Sequence, residues 1–197
     1  VLEAFRLIGS EQIQGRASLG GNICNGSPAG DSVPALIAAG CLALIAGPNG
    51  KREIPIEEFH IGPGKTVLDN GEMLVSLKFP KREINSSDTY LRMTPRTEMD
   101  IAVVGCGVNI TFENNVCTAA RVSLGAVAPT PLLIKEASKL MVGSDLNSEI
   151  LDKVSKICMD LCDPIDDKRG TIDYRTKVAG VLFKRATLTT IDRIKGN

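Results

Sequence analysis

The most informative stretch of the chain is rich in glycine and small polar residues. It reads Ala17-Ser-Leu-Gly-Gly-Asn-Ile-Cys-Asn-Gly-Ser-Pro-Ala-Gly-Asp31. Because Gly20 and Gly21 carry no side chain, a bulky anionic ligand can lie directly on the backbone there. Ser18, Asn22 and the two glycine amides supply hydrogen-bond donors, a set that suits a pyrophosphate or the polyol of a nucleotide cofactor. Taken alone, the same pattern is also typical of a glycine-rich surface loop that binds nothing.

A wider pattern favours the ligand-binding interpretation. The run 8–22 resembles the flavin signature of the molybdenum hydroxylases, in the FAD-binding medium subunit of the xanthine and carbon monoxide dehydrogenase type. Three further stretches resemble the same family and follow in its order: 62–66 with 71–74, 123–131, and 167–171 with Tyr174 and Arg175. The resemblance therefore covers nearly the whole chain.

Composition excludes several classes of function. The formal charge is zero at pH 7, which argues against a nucleic-acid binder because such proteins show a basic surplus. No apolar run reaches the roughly 18 residues of a membrane span. No charged segment followed by an apolar one marks an export signal, so we expect a cytoplasmic protein. Apolar residues make up 43% of the chain and aromatic ones only 4%, so aliphatic side chains must form its cores.

Cysteine and histidine usage predicts no metal site. The six cysteines form no Cys-x-x-Cys pair, and His60 is the single histidine. A zinc site or an iron–sulfur cluster would need grouped ligands. We therefore expect free thiols in a reducing compartment.

The order of the predicted elements indicates an α+β fold. Helices are expected at the start of the chain, ending at Gly9, and from Ser32 to Gly40, with the ligand loop from about residue 14 to Asp31 between them. Strands are expected at 41–46, in a short return strand that ends at residue 54, and at 73–79. A helical turn is expected at 56–59. An edge strand at 90–94, a hairpin of 101–112 with 116–127, and helices at 132–141, 147–161 and 174–194 follow.

The polar run 81–88 is interpreted as a domain boundary. The predicted organisation is residues 1–84 as the second half of an FAD-binding domain with an antiparallel sheet, and residues 85–197 as a C-terminal domain of a small antiparallel sheet plus helices. The resembled family carries a further nucleotide-binding portion ahead of the first helix, so we expect this chain to be a fragment without it.

The resemblance assigns cofactor contacts residue by residue. The segment around the glycine pair would lie against the FAD pyrophosphate and ribityl chain, and a further polar contact would follow it. These residues are Ser18, Leu19, Gly20, Gly21, Asn22 and Asn25.

Three more cofactor contacts are implied, each with a structural alternative. Asp31 matches an acid that contacts FAD, but it also stands where an N-cap precedes a helix. Leu74 matches a residue against the isoalloxazine ring, but a strand leucine is usually core. Arg92 replaces the family's usual lysine as a flavin contact, whereas a solvated charge on an edge strand is the alternative.

Other charged residues are assigned no chemistry. Arg96 is expected in a structural ion pair. His60 is expected on a surface or in a loop rather than as a catalytic base. Lys65 lacks the spacing of a phosphate-binding P-loop. No catalytic residue and no metal ligand is predicted.

The expected function is that of an FAD-binding electron-transfer subunit of a molybdenum-containing hydroxylase or dehydrogenase. By resemblance, a molybdopterin-binding large subunit and a small subunit with 2Fe–2S clusters would deliver electrons to FAD, and NAD or another acceptor would receive them. Two alternatives remain open: a scaffold that docks partner subunits without flavin, and an unrelated small-molecule-binding module.

Overall fold

The computed structural model describes residues 1–97 and 99–196, and within them the chain is a mixed α and β structure with antiparallel sheets. The first half contains four helices and five strands. They are α1 Leu2–Arg6, α2 Glu11–Gln14, α3 Leu19–Cys24, α4 Ser32–Ala38, β1 Leu42–Gly47, β2 Gly50–Pro55, a 3-10 turn at Ile56–Glu58, β3 His60–Gly62, β4 Lys65–Thr66 and β5 Met73–Lys78.

The second half contains four strands followed by three helices. They are β6 Ser86–Met93, β7 Val104–Glu113, β8 Val116–Gly125, β9 Leu132–Leu133, α5 Lys135–Met141, α6 Ser148–Asp160 and α7 Ile172–Lys195. The predicted α+β fold class is confirmed, because antiparallel sheets and helices together make up the described residues.

Two larger antiparallel sheets and a two-stranded one, formed by β3 and β4, organise the described residues. The first has the strand order β2-β1-β5, and the second has the order β6-β7-β8-β9. The hairpin between β7 and β8 closes on Asn114 and Asn115, whose φ angles of 49° and 65° are those that a two-residue hairpin turn of the right twist requires. This hairpin was predicted from sequence, and the structure confirms it.

One large hydrophobic core lies before the polar run 81–88 in sequence, and a second lies after it. The buried members of one lie between Ile23 and Phe59, and those of the other between Val103 and Ile191. The boundary that we expect between residues 84 and 85 falls between these cores and stays a prediction. The two halves are nevertheless packed together, because α4 lies on β7 and β8.

The second sheet is covered on both faces. Helix α7 packs on one face, where Thr190 donates a hydrogen bond to Thr89 on β6. Helix α4 lies on the other face, against glycines of β7 and β8. A Cβ on Gly107 would lie 2.6 Å from the Pro34 carbonyl oxygen, and one on Gly125 would lie 2.6 Å from Pro34 Cγ. The missing side chains therefore set how closely α4 approaches the sheet.

Several boundaries differ from the sequence-based expectations. The ligand loop of residues 14 to 31 contains helix α3, and β6 begins at Ser86 rather than Tyr90. Helix α7 begins at Ile172 because Thr171 Oγ1 accepts the Tyr174 amide and so caps the first turn. Strand β9 was not predicted, because two residues carry no periodic signal.

Replacing Gly107 with alanine tests this packing. The new methyl group would meet backbone atoms of Pro34, which cannot rotate away, so we expect the free energy of unfolding to fall by about 2 kcal/mol or more. Urea denaturation measures the change. Gly62→Ala is the matched control, since its Cβ would meet only Lys65 side-chain atoms at 3.8 Å and beyond. Equal stability of the two variants would contradict the close approach of α4.

Candidate functional site

The stretch quoted first contains a short helix with a defined cap. Ser18 is the N-cap of α3, and its Oγ accepts a hydrogen bond from the Gly21 amide at 3.0 Å. The Gly21 amide is therefore engaged within the chain, which corrects the expectation that it is free for a ligand. In the described part of the chain, the Leu19 and Gly20 amides donate to no protein atom.

Gly20 presents bare backbone beside Leu74. Among the described residues outside its own helix and its chain neighbours, a Cβ built on Gly20 would meet only Leu74 Cδ2, at 4.0 Å. Leu74 is half-buried on β5 and packs against the core formed between Ile23 and Phe59. It therefore contributes to the core and also lies beside Gly20. The structure thus brings together two residues that the sequence analysis assigned to one ligand.

The two asparagines of the segment differ in their surroundings. Asn22 Oδ1 accepts a hydrogen bond from Ser32 Oγ at 2.5 Å, which leaves its Nδ2 group without a protein acceptor in the described residues. Asn25 is exposed at the C-terminal end of α3, where its backbone amide bonds the Gly21 carbonyl. The hydrogen bond from Ser32 therefore fixes the Asn22 side chain, whose Nδ2 group is a donor. Asn25 is fixed only by its backbone hydrogen bond.

The hairpin of β3 and β4 contacts α3 and the residue that follows its C-terminal cap. His60 Nε2 lies 2.7 Å from the Ile23 carbonyl oxygen, and the Gly64 amide donates to the Gly26 carbonyl at 2.9 Å. A Cβ on Gly26 would lie 2.9 Å from Gly64, so the two backbones touch. The expectation that His60 lies on a surface or in a loop was wrong: it is buried on strand β3, where its ring nitrogen bonds the Ile23 carbonyl.

Asp31 lies in a buried cluster with two residues of β6. Its Oδ1 accepts a hydrogen bond from Tyr90 Oη at 2.8 Å, and its Oδ2 accepts one from Arg92 Nη1 at 2.7 Å. Asp31 stands at the N-cap position of α4, but its side chain makes no capping bond. The Asp31 carboxylate faces β6 instead, so a helix-capping hydrogen bond does not hold this side chain in place.

This Asp31 cluster is nearly closed to solvent. Tyr90 is 3% exposed, Asp31 is 8% exposed, and the Arg92 side chain is 5% exposed. Arg92 is therefore no solvated charge on a strand edge. In the described residues only its Nη1 donates to protein, so Nε and Nη2 keep unused N–H groups.

Burial dominates the electrostatics of the cluster. Burial raises the pKa of Asp31, and the Arg92 charge and the Tyr90 hydrogen bond oppose this rise. Burial and the Asp31 charge raise the pKa of Tyr90 well above its ordinary value, so the phenol stays protonated and remains a donor. Two donors on one carboxyl group fit its ionised form.

Sequence reasoning missed Tyr90 as a member of the site. Its phenol needs the space over Gly105, where a Cβ would lie 2.6 Å from Oη. Strand pairing places Gly105 opposite Arg92 and Gly107 opposite Tyr90. The alternation Val104-Gly-Cys-Gly-Val108, with a glycine at every second residue, was the available signal that one face of this strand admits a close neighbour.

The motif around Arg175 is structural. Asp167 accepts from the Arg175 guanidinium at 2.7 Å and from the Arg169 amide at 2.8 Å, and Arg175 Nη1 donates to the Val103 carbonyl at 2.6 Å. This set fixes the start of β7 to the start of α7. Arg96 pairs with Asp100, as expected for a structural ion pair.

The described residues contain no cluster that suits a metal ion. Within the ranges 1–97 and 99–196, no group of three or more His, Cys, Asp or Glu side chains could hold one, and all six cysteines have free thiols. In the same ranges, no helix combines the length and the apolar character needed to cross a membrane.

Two family models match the chain and agree with its fold. Residues 1–82 match the FAD binding domain in molybdopterin dehydrogenase, and residues 89–190 match the CO dehydrogenase flavoprotein C-terminal domain. The chain belongs to this family of molybdopterin dehydrogenase flavoproteins.

Individual relatives agree with the family. The chain is 31% identical over 184 residues to the carbon monoxide dehydrogenase medium chain of Hydrogenophaga pseudoflava, covering 93% of this chain and 64% of that protein. It is 30% identical over 179 residues to a putative xanthine dehydrogenase FAD-binding subunit of Escherichia coli, covering 90% and 61%. The chain thus spans less than two thirds of the length of these relatives.

Solved structures share the fold. Carbon monoxide dehydrogenase from Hydrogenophaga pseudoflava, in a form that lacks the Mo-pyranopterin moiety, superposes with a TM-score of 0.94 at 30% identity over 97% of this chain and 66% of that one. Reconstituted CO dehydrogenase from Oligotropha carboxidovorans gives a TM-score of 0.91 at 31% identity, covering 95% and 65%.

The His60 contact predicts a pH dependence of stability. Burial lowers the pKa of His60 below 6.5, and the Ile23 carbonyl only partly offsets this. Because the unfolded chain protonates first, stability is complete above pH 6.5 and falls as the pH drops toward the lowered pKa, by up to about 1.4 kcal/mol per pH unit.

Urea denaturation of the native protein and of a His60→Gln variant between pH 7.5 and 5.5 measures this contribution. Glutamine keeps a donor for the Ile23 carbonyl but does not titrate, so the difference between the two proteins isolates His60. The native protein should lose more stability on acidification than the variant. Parallel pH profiles would contradict the prediction, because they would show that protonation of His60 does not change the free energy of unfolding.

Proposed function

We propose that this chain binds FAD and serves as an electron-transfer flavoprotein subunit of a molybdenum-containing hydroxylase or dehydrogenase. Membership of the family supports the proposal. The observation that carries it is the bare backbone of Gly20 beside Leu74, where a ligand can approach the chain without meeting a side chain other than this one.

The donor set fits the parts of FAD. The Ser18 hydroxyl, the Asn22 Nδ2 group and the amides of Leu19 and Gly20 are neutral donors of the kind that hold phosphate oxygens and sugar hydroxyls. Leu74 supplies an aliphatic surface for a flat ring. FAD, when bound, supplies the redox chemistry, and the protein positions it and tunes it by nearby charge.

Arg92 supplies the charge in this proposal. Its guanidinium is held in the interior by Asp31 and has N–H groups that the described protein does not use. A fixed positive charge next to a ligand favours states in which that ligand gains negative charge. No side chain of this chain is assigned a proton transfer, so the proposed residues bind and tune rather than act as acid or base.

The assembly is part of the same proposal. A molybdopterin-binding large subunit and a small 2Fe–2S subunit would deliver electrons, and NAD or another acceptor would take them from this chain. Residues 1–84 would form part of the FAD-binding domain and residues 85–197 its C-terminal partner. Free thiols at all six cysteines support a reducing compartment, the cytoplasm.

A scaffold without flavin is the second candidate. It is favoured by the engagement of several site groups within the chain: the Gly21 amide donates to Ser18, Asn22 accepts from Ser32, and Asp31 accepts from Tyr90 and Arg92. In that case the segment would only join the two halves of the chain, and partner subunits would dock on its surface.

Gly20→Val separates these functions. The branched side chain would occupy the open backbone face, where only Leu74 stands nearby, so the fold should persist while FAD binding is lost. The purified chain is titrated with FAD, followed by quenching of flavin fluorescence and by visible absorption. Ala119→Val, which enlarges an exposed residue of β8, is the control and should bind like the native chain.

The outcomes decide between the candidates. Binding by the native chain and by Ala119→Val, with at least about tenfold weaker binding by Gly20→Val, supports the flavin site. A native chain that binds no FAD supports the scaffold. Undiminished binding by a folded Gly20→Val variant would show that the ligand lies elsewhere.

A further inference from the structure

The two oxygens of Asp31 are divided between two donors. Tyr90 donates to Oδ1 and Arg92 donates to Oδ2, each at hydrogen-bond distance. An arginine beside a carboxylate commonly forms two parallel N–H···O bonds, one to each oxygen. Here the phenol donates to Oδ1, so a two-pronged arginine would have to share that oxygen, and Arg92 donates to Oδ2 alone.

The phenol cannot leave this position easily. The Tyr90 ring is buried against the sheet, and its hydroxyl lies in the space that Gly105 leaves open. It also stays a donor at neutral pH. Arg92 is therefore held by one oxygen of Asp31, and the phenol donates to the other.

We propose that Tyr90 is a positioning residue that keeps Arg92 on a single oxygen of Asp31, so that the remaining guanidinium N–H groups can donate to oxygen atoms of a bound ligand. This rests on the proposed function, since the ligand is the proposed FAD. The ligand chemistry that fits is a carbonyl or anionic oxygen at the edge of a ring, because the Arg92 donors lie in one plane.

Removing the phenol oxygen should change the geometry of the pair. In a Tyr90→Phe variant, Oδ1 of Asp31 loses its donor, and the shortest way to satisfy it is a second bond from Arg92. The guanidinium would then turn its fork to the carboxylate and withdraw N–H groups from the ligand. The phenyl ring keeps the packing of β6, so the variant should fold.

The first experiment is a crystal structure of the Tyr90→Phe chain without added ligand. We expect Arg92 to bond both oxygens of Asp31. Tyr174→Phe, which removes the chain's other phenol from an exposed position on α7, is the control and should leave the pair on one oxygen. An Arg92 that stays on Oδ2 alone in the Tyr90→Phe structure would overturn the proposal.

The second experiment measures FAD affinity. Tyr90→Phe should weaken binding about tenfold, because the ligand loses a charge-assisted bond. The same change made in an Arg92→Lys background should have little effect, since an ammonium group cannot form the fork. A similar loss in both backgrounds would show that Tyr90 acts through packing alone, which would overturn the positioning role.

The two readouts keep the proposals apart. If the native chain binds no FAD, the proposed function fails, whereas the crystal structure of Tyr90→Phe still decides whether the phenol restrains Arg92. If Arg92 turns to both oxygens and FAD affinity is unchanged, the proposed function stands and the positioning role is overturned.

Discussion

The ion pair between Asp31 and Arg92 is the interaction on which the arrangement of the site depends. It joins the end of the glycine-rich segment to β6, across 61 residues of sequence. Two charges held away from water are costly unless each keeps its partners, and removal of one partner leaves the other buried without compensation. Tyr90 adds a second donor to the carboxylate, and in the positioning role proposed above it decides which way the arginine faces.

The close approach of α4 to the second sheet makes this pairing possible. Gly107 and Gly125 let Pro34 rest on the strands, and Gly105 makes room for the Tyr90 hydroxyl. Because Asp31 immediately precedes α4, the seating of the helix also sets the depth of the carboxylate. Arg121 adds a second connection, since its guanidinium bonds the Ile37 carbonyl at the end of α4 and the Glu57 carboxylate. Segment, helix and sheet therefore form one packed unit.

Local sequence signals predicted those parts of the fold that local physics controls. The Asn114-Asn115 turn gave the long hairpin, and Pro34 in the first turn with Gly40 behind it gave α4. Helix α3 was missed because two glycines disfavour a helix. In the structure, the Ser18 cap and the contact with the hairpin of β3 and β4 outweigh that preference. The start of β6 was missed because its polar residues pair with β7, a partner that no local pattern reveals.

The resemblance predicted which residues form the site, and that assignment stays a prediction, whereas the contacts among these residues were not predicted. The resemblance named Gly20, Leu74, Asp31 and Arg92, and the structure places the first two side by side and binds the last two to each other. That Arg92 would face Asp31 depends on the register of β6 against β7 and on the seating of α4, neither of which sequence spacing encodes. Tyr90 was recognised only as part of a strand, since its role requires a glycine on the neighbouring strand.

A double-mutant cycle between Asp31 and Arg92 tests the central claim most directly. The free energy of unfolding is measured by urea denaturation for the native chain, for Asp31→Asn, for Arg92→Met and for the double variant. Because each single change strands a buried charge or its partner, the account predicts a coupling free energy of about 2 kcal/mol or more, with the double variant more stable than the sum of the single losses implies. A coupling below about 0.5 kcal/mol, the ordinary value for independent positions, would contradict it.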